Sequence, residues 1–167
     1  MTRIFVPIVL FCALLTSTGY AAGPTDAGAD AILGTWVTEG GKAHVAISRA
    51  AGAYQGRIVW LKEPDYPVDD KQGMGGQAKV DRENPDAGLR NRPIIGLALV
   101  SGFHYAGDGV WTDGTIYDPE SGKTYRCKIT LRKDGSLNVR GYVGFSLFGR
   151  TTVWTRLAAT PGNARPK

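Results

Sequence analysis

Leu33-Gly34-Thr35-Trp36-Val37 carries the clearest indication of how this chain folds. A glycine two residues before a tryptophan lets the backbone bend tightly at the start of a strand and brings a large indole under the sheet. Near the other end of the chain, Arg156 carries a planar guanidinium that can cover the Trp36 ring in a cation–π contact. The first and last strands would then be neighbours, and the sheet would close into a barrel. We therefore interpret Gly34, Trp36 and Arg156 as a structural signature, although two unrelated core residues of a β-protein would give the same pattern.

Apolar and polar residues alternate almost throughout residues 33–157, which is typical of half-buried strands. Most links between the apolar runs are short and rich in turn formers, such as Gly40-Gly41 and Lys133-Asp134-Gly135, and these favour hairpins. The sequence therefore predicts an all-β fold, a single up-and-down antiparallel barrel of about eight strands with one long inserted loop. The predicted strands cover residues 34–39, 43–49, 54–61, 96–104, 110–117, 123–131, 136–142 and 150–157.

The N-terminus has the pattern of an export signal. One cation, Arg3, precedes an apolar run over residues 4–15, and small and polar residues follow as far as Ala21. The apolar run is too short to anchor the chain in a bilayer. We expect cleavage after Ala21, or after Ala22 as second choice, no integral membrane segment in the mature chain, and a periplasmic or secreted protein.

The remaining chain is expected to form one domain between two short tails. Residues 22–31 and 158–167 are rich in Ala, Gly and Pro, which predicts a disordered linker and a disordered tail around a barrel at residues 32–157. After signal cleavage Cys127 is the one cysteine left, so an internal disulfide is excluded and stability has to come from the core.

The chain is basic, with 20 Lys and Arg against 15 Asp and Glu. Its densest basic run, residues 123–133, alternates with Tyr125, Cys127 and Ile129, which predicts a strand with one solvated and one apolar face. Because no aromatic platform is interleaved on the basic face, nucleic acid is not an expected partner. A weak attraction to anionic envelope surfaces is the milder interpretation.

The link from Lys62 to Pro93 is the one connection that breaks the alternating pattern. It has roughly thirty residues with many glycines, prolines and charges, and connections of that length are usually functional or disordered. Its middle, residues 71–77, is expected to be mobile. Residues 81–95 contain Asn84-Pro85 and several apolar side chains, so we expect them to pack against the barrel wall.

Several short motifs, in the same order along the chain, closely resemble the bacterial exported family called domain of unknown function 2147. This resemblance covers nearly the whole mature chain and implies a calycin-like barrel, similar to lipocalins and fatty-acid-binding proteins, in the cell envelope. It implies no activity and no site residues. The motifs are Gly56-Arg57-Ile58-Val59-Trp60-Leu61, Asn84-Pro85-Asp86, Arg92-Pro93-Ile94-Ile95-Gly96-Leu97, Ile116-Tyr117-Asp118-Pro119, Gly122-Lys123-Thr124-Tyr125, Arg140-Gly141-Tyr142-Val143-Gly144 and Leu147-Phe148-Gly149-Arg150-Thr151.

The sequence offers little catalytic chemistry. His44 and His104 are the only histidines and lack ligand spacing with each other or with Cys127, so neither a metal nor another cofactor is expected. Ser146 lies between glycines, but the spacing is not that of a nucleophile elbow. We expect no enzyme activity. Residues 145–148 would instead plug one barrel end, or form an apolar lip at its entrance.

The barrel interior is the remaining candidate site. Alternation along the strands puts Trp60, Leu97, Ile116 and Val153 among the residues of one apolar face. Side chains that fill a solid core are one interpretation, and an open cavity with Ser101 and Thr112 as its few polar groups is the other. For the open case the candidate cavity residues are Ile47, Trp60, Leu99, Phe103, Tyr125 and Ile129.

Two functions follow from these alternatives. The first is a non-enzymatic envelope protein that binds a small apolar or amphiphilic ligand inside the barrel. The second is a solid barrel that contacts an envelope protein partner, or the envelope itself, through its outer surface and its long link.

Overall fold

The computed structural model describes residues 28–144 and 149–158. Eight strands form a closed barrel in which each strand pairs antiparallel with the next and the last pairs with the first, as the sequence predicts. Short 3₁₀ helices occur at Ala29–Ile32, Glu39–Gly41 and Ala87–Leu89. The strands are β1 (Gly34–Val37), β2 (Ala43–Ala50), β3 (Ala53–Leu61), β4 (Ala98–Gly107), β5 (Val110–Asp118), β6 (Lys123–Leu131), β7 (Leu137–Tyr142) and β8 (Gly149–Arg156).

The barrel closes through the predicted pair of residues. Trp36 of β1 is the register partner of Arg156 of β8, and the guanidinium carbon lies 4.3 Å from the centroid of the indole ring. The same guanidinium donates hydrogen bonds to the backbone oxygens of Leu33 (2.8 Å) and Ala31 (2.6 Å). Gly34 has a φ of +117°, and a Cβ at this position would lie 2.8 Å from Nη1 of Arg156. A glycine is therefore required both by the backbone turn and by the space that the arginine occupies.

The N-terminal 3₁₀ helix closes one end of the barrel, which we call the floor. Ala29 and Ile32 are buried, and their carbonyl oxygens accept hydrogen bonds from the indole nitrogens of Trp111 (3.1 Å) and Trp36 (2.8 Å). The expectation of a disordered linker is therefore wrong for residues 28–31. Two buried indole N–H groups need acceptors, and this helix supplies them. The predicted signal peptide and C-terminal tail, apart from residue 158, lie outside the described residues.

Large buried side chains fill the floor half of the barrel. A Cβ on Gly114 would lie within 2.3–2.4 Å of three ring carbons of Phe103, so this glycine lets the phenyl ring cross the interior. The largest fully buried residues are Ile32, Trp36, Phe103, Trp111, Ile129 and Leu137.

A β-bulge places Trp60 on the outside of the barrel and not in its interior. His44 pairs with Trp60 while the next residue of β2, Val45, pairs with Ile58, so Val59 is an extra residue in β3. One extra residue reverses which face the following side chains occupy. Trp60 is 42% exposed and stacks on the His44 ring at 4.3 Å between centroids. The prediction of Trp60 as a cavity wall is therefore wrong.

Alternation along β8 also differs from the sequence prediction. Trp154 is 2% exposed and pairs in register with the buried Leu137, whereas Val153 is only partly buried. The expectation that Val153 shares the interior face is wrong. Because Arg156 has to reach the interior face to cover Trp36, residues two and four positions before it point the same way.

The segment between β3 and β4, residues 62–97, is folded along its whole length. Antiparallel bridges join Asp65 to Ala78 and Val80 to Pro93, and Ile94 is buried against the barrel core. Residues 81–95 are thus packed on the barrel, as predicted. No helix in the described ranges is both long and apolar enough to span a membrane.

Candidate ligand cavity at the barrel mouth

A cavity of about 730 Å³ opens at the end of the barrel opposite the floor, which we call the mouth. The β1–β2 turn, the β5–β6 turn and the start of β8 surround it. Its inner wall is apolar, formed by the buried side chains of Val139 and Trp154 and by three partly exposed side chains above them. The partly exposed side chains are Leu99, Ile116 and Tyr125. The barrel is therefore packed in one half and open in the other. The sequence predicted a single state, either packed or open, for the whole interior.

The structure divides the predicted cavity residues among three places. Leu99 and Tyr125 line the mouth cavity. Ile47, Phe103 and Ile129 are buried in the core of the barrel and do not line the cavity. The two polar groups predicted for the interior are elsewhere. Ser101 lines a cleft of the outer wall, and the Thr112 hydroxyl donates to its neighbour Asp113 at 2.9 Å.

A glycine keeps part of this cavity open. A Cβ built on Gly141 would lie 3.2 Å from Cγ2 of Ile116 and 3.8 Å from Cβ of Tyr125, which are both cavity-lining residues. Any larger side chain at this position enters the space between them. Gly141 has no positive φ, so the backbone conformation itself accepts other residues.

A second cavity of about 560 Å³ lies beside the mouth, under the folded link. It shares Thr38, Lys42, Leu99 and the Asp118–Glu120 turn with the mouth cavity, so the two spaces have a common boundary. Charged side chains line its link side, and two ion pairs join them, Lys79 with Glu63 at 3.8 Å and Arg82 with Asp70 at 2.9 Å. The apolar mouth cavity therefore borders a charged chamber.

Local contacts hold the middle of the link. The guanidinium of Arg82 lies 4.1 Å from the centroid of the Tyr66 ring, and its hydrogen bond to Asp70 keeps the pKa of that carboxyl below its usual value. The other carboxylate oxygen of Asp70 accepts from the backbone nitrogens of Gln72 and Met74, both at 3.1 Å. These contacts tie the first half of residues 71–77 to Asp70, and the mobility of that stretch stays a prediction.

A buried carboxylate attaches the second half of the link to the barrel. Asp81 is fully buried and accepts hydrogen bonds from the Tyr117 hydroxyl (2.6 Å), the Asn84 amide (2.7 Å) and the Arg92 guanidinium (2.8 Å). A carboxylate removed from water is tolerated only with such partners. Burial, followed by the hydrogen bond to Asp81, raises the pKa of Tyr117 to about 12, so its hydroxyl remains a donor. Tyr117 belongs to β5, and this contact therefore fixes the link beside the mouth.

The described residues contain no arrangement typical of a metal centre. No group of three or more His, Cys, Asp or Glu side chains within residues 28–144 and 149–158 is placed to hold an ion. Cys127 is a buried free cysteine, and burial raises the pKa of its thiol to about 12. A thiol in that state is a poor nucleophile. Residues 145–148, predicted as a plug or an apolar lip, lie outside the described residues.

Comparisons with known proteins agree with this architecture. A solved structure from Helicobacter pylori, described as "Protein HP1028 from the human pathogen Helicobacter pylori belongs to the lipocalin family", is similar over 75% of this chain and 82% of that chain. The TM-score is 0.62 and the sequence identity is 24%, a likeness that shows the fold. No curated protein has a significant match to the sequence.

A family model described as "Uncharacterized protein conserved in bacteria (DUF2147)" matches residues 34–156, which run from the first residue of β1 to the last residue of β8. The matched region contains the Trp36 and Arg156 pair, the long link and every strand of the barrel. The chain therefore belongs to the DUF2147 family of bacterial proteins.

Proposed function

We propose that this protein is a non-enzymatic binder of a small apolar or amphiphilic molecule, which it holds in the mouth cavity of its barrel. The observation that carries the proposal is the 730 Å³ space above a fully packed floor. Small-molecule sites are concave, mostly apolar and roughly 300–1,000 Å³ in volume. The cavity matches that description, with aliphatic and aromatic side chains on its inner wall and charged side chains, such as Lys42 and Glu120, on the turns that surround it.

The rim favours an amphiphile over a purely apolar ligand. Lys42 at the end of the β1–β2 turn and Glu120 on the β5–β6 turn line both the mouth cavity and the charged chamber. An apolar tail among Leu99, Tyr125 and Trp154 would leave a polar head at this boundary, where charged side chains and water are available. Barrels of this size hold one small ligand in the same way.

The proposal places the protein outside the cytoplasm, because residues 1–21 have the pattern of a cleaved export signal. Cell fractionation with N-terminal sequencing of the mature protein tests this part separately. We expect a periplasmic or secreted chain that begins at Ala22 or the following residue. An uncleaved chain in the cytoplasm would contradict the envelope location and leave the cavity to be tested independently.

Native mass spectrometry of protein purified from the envelope of its own host is the first test of ligand binding. We expect a co-purified small molecule in a stoichiometric complex. A titration with anilinonaphthalene sulfonate, an amphiphilic dye, gives a second readout. Saturable fluorescence enhancement at one site is expected for the folded protein, and the absence of both signals would contradict the proposal.

A matched pair of variants locates the binding site. Gly141→Leu fills the space between Ile116 and Tyr125 and should abolish dye binding, whereas Thr155→Leu adds the same side chain at an exposed position of β8. If Gly141→Leu does not fold, Gly141→Ala narrows the cavity with less strain and should weaken binding. Equal dye binding by the Thr155 and Gly141 variants would place the dye elsewhere.

A second candidate function is contact with an envelope partner through the outer surface. Val59 and Trp60, which the β3 bulge directs outward, are 48% and 42% exposed. Exposed aromatic residues are enriched where proteins meet. Cross-linking in intact cells, compared between the wild type and Trp60→Ser, tests it. A cross-linked partner that Trp60→Ser loses, together with an empty barrel in native mass spectrometry, would favour this function over ligand binding.

A further inference from the structure

A further cleft of about 720 Å³ lies on the outer wall of the barrel and shares Leu99 and Tyr117 with the lining of the mouth cavity. Its base is formed by β4, β5 and β6, and link residues 84–85 and 92–96 form one side. The charged residues that line it are Arg57 and Arg92, and no Asp or Glu is among its described lining residues. The ligand proposed for the barrel does not use this cleft.

Each arginine makes a hydrogen bond that restrains its side chain, and each retains free donors. Nη1 of Arg57 donates to the backbone oxygen of Gly96 at 3.0 Å, and Nη2 of Arg92 donates to Oδ2 of the buried Asp81 at 2.8 Å. A guanidinium has five N–H groups in a fixed plane, so one such bond leaves the others available. Side chains that are already fixed lose less conformational entropy when a ligand binds.

Besides Tyr117, whose hydroxyl donates to Asp81, three hydroxyl-bearing side chains line the same cleft. Ser101 and Thr115 are register partners across β4 and β5, and Thr124 of β6 is the register partner of Tyr117. None of these three hydroxyls has a hydrogen-bond partner among the described residues. A hydroxyl both donates and accepts, which suits the hydroxyl groups of a sugar.

The positively charged side chains of the cleft favour an anionic ligand. Asp81 offsets the charge of Arg92 from below, while Arg57 has no carboxylate partner among the described residues. Arg126, the register partner of Thr115, adds another positive side chain beside the cleft. Phosphate and carboxylate groups match the planar fork of a guanidinium and form its strongest hydrogen bonds.

We infer that this cleft binds an anionic, polyhydroxylated small molecule, a sugar that carries a phosphate or a carboxylate. Arg57 and Arg92 hold the anionic group, and Ser101, Thr115 and Thr124 contact the hydroxyls of the sugar. The inference does not depend on the ligand proposed for the barrel mouth.

Isothermal titration calorimetry with four compounds tests it: glucose 6-phosphate, glucuronate, inorganic phosphate and glucose. We expect saturable binding of at least one sugar anion, weaker binding of phosphate and none of neutral glucose. Inorganic phosphate that binds as tightly as the sugar anions would overturn the part played by the hydroxyls. No saturable binding of either sugar anion would overturn the whole inference.

Variants then assign the site. Arg57→Gln should weaken binding about tenfold through loss of a charge-assisted contact. Lys133→Gln removes the same charge from an exposed turn between β6 and β7, at the floor end, and should change the affinity by less than about twofold. Equal losses of affinity in the two variants would show that the ligand is attracted by the overall charge of the protein and does not bind at this cleft. Binding of anilinonaphthalene sulfonate by Arg57→Gln should be unchanged, which separates this result from the test of the barrel cavity.

Discussion

The floor and the mouth of the barrel are built from the same eight strands but differ in packing. At the floor, Trp36 and Trp111 are completely buried, and backbone carbonyls of the N-terminal helix accept both indole N–H groups. At the mouth, Leu99 and Tyr125 are partly exposed beside a 730 Å³ cavity. Packed core and open cavity are thus separated along one barrel axis, so we expect each half to respond to mutation in its own way.

Trp36→Ala should give the largest loss of stability, because it removes one of the largest fully buried side chains of the barrel. We expect the free energy of unfolding to fall by about 3–5 kcal/mol, from lost burial, the new cavity and the loss of the Arg156 stack. Chemical denaturation measures the change. Tyr125→Ala removes an aromatic ring at the mouth and should cost less than about half as much, since that ring is already partly solvated. Equal losses of unfolding free energy at the two positions would contradict the difference in packing between the floor and the mouth.

Tyr117→Phe should give the next largest effect and tests how firmly the link is held beside the mouth. The change leaves a fully buried carboxylate, Asp81, without its 2.6 Å hydrogen bond. We expect a loss of about 1–3 kcal/mol. Hydrogen exchange should report reduced protection in residues 81–95 while the floor strands keep theirs. Uniform loss of protection in both halves would show that the link is not a separate unit.

Arg156→Lys should destabilise the floor by about 1 kcal/mol. Lysine keeps the charge but cannot both stack flat on Trp36 and donate to two carbonyl oxygens in one plane. Chemical denaturation of Arg156→Lys and Arg156→Gln measures two contributions to stability. The lysine variant keeps the positive charge without the guanidinium plane, whereas the glutamine variant loses both. A lysine variant as stable as the wild type would mean that the guanidinium plane is unimportant, contrary to the contact described at the floor.

The smallest effect expected is the loss of stability that begins just above pH 9 and grows at higher pH. Burial raises the pKa of Cys127 from 9.0, and that of Tyr117 from 10.0, to about 12 in each case. A raised folded-state pKa means that the unfolded chain loses these protons first, so stability is fully present below about pH 9 and declines as pH rises towards 12. Denaturation midpoints across this range measure the decline, and Cys127→Ala should remove the first part of it. The native thiol should also resist iodoacetamide until the chain unfolds.

The fold could be predicted from the sequence because its information is local. Alternation with period two and glycine-rich turns identify the strands, and the Trp36 and Arg156 pair at the two ends of the barrel predicts closure. The same pair also contained information about the site. If Arg156 faces the interior, Trp154 has to face it too, and this cavity-lining tryptophan could have been found by counting back from the arginine.

The remaining features depend on contacts between distant residues. Trp60 lies outside because Val59 is an extra residue opposite β2, and no residue type near it marks the bulge. In the sequence, Asp81 is indistinguishable from the other charged residues of the link, which are expected to be solvated. Its role in attaching the link depends on its hydrogen bond with Tyr117 of β5, which is distant in sequence. The composition of the N-terminal helix is that of a linker. Its contacts with the two indoles and with Arg156 are made by backbone carbonyl groups, which every residue type carries, so its side chains give no sign of them.

Pairing of β1 with β8 also has a consequence for the folding reaction. Hairpins between consecutive strands form from residues that are close in sequence, but Trp36 can meet Arg156 only after nearly the whole barrel sequence has been gathered. Such non-local closure is slow because the entropy of a long loop is lost before its contacts form. We therefore expect the contacts made by Arg156 to form late in folding, and to act chiefly on how long the closed barrel survives and much less on how fast it forms.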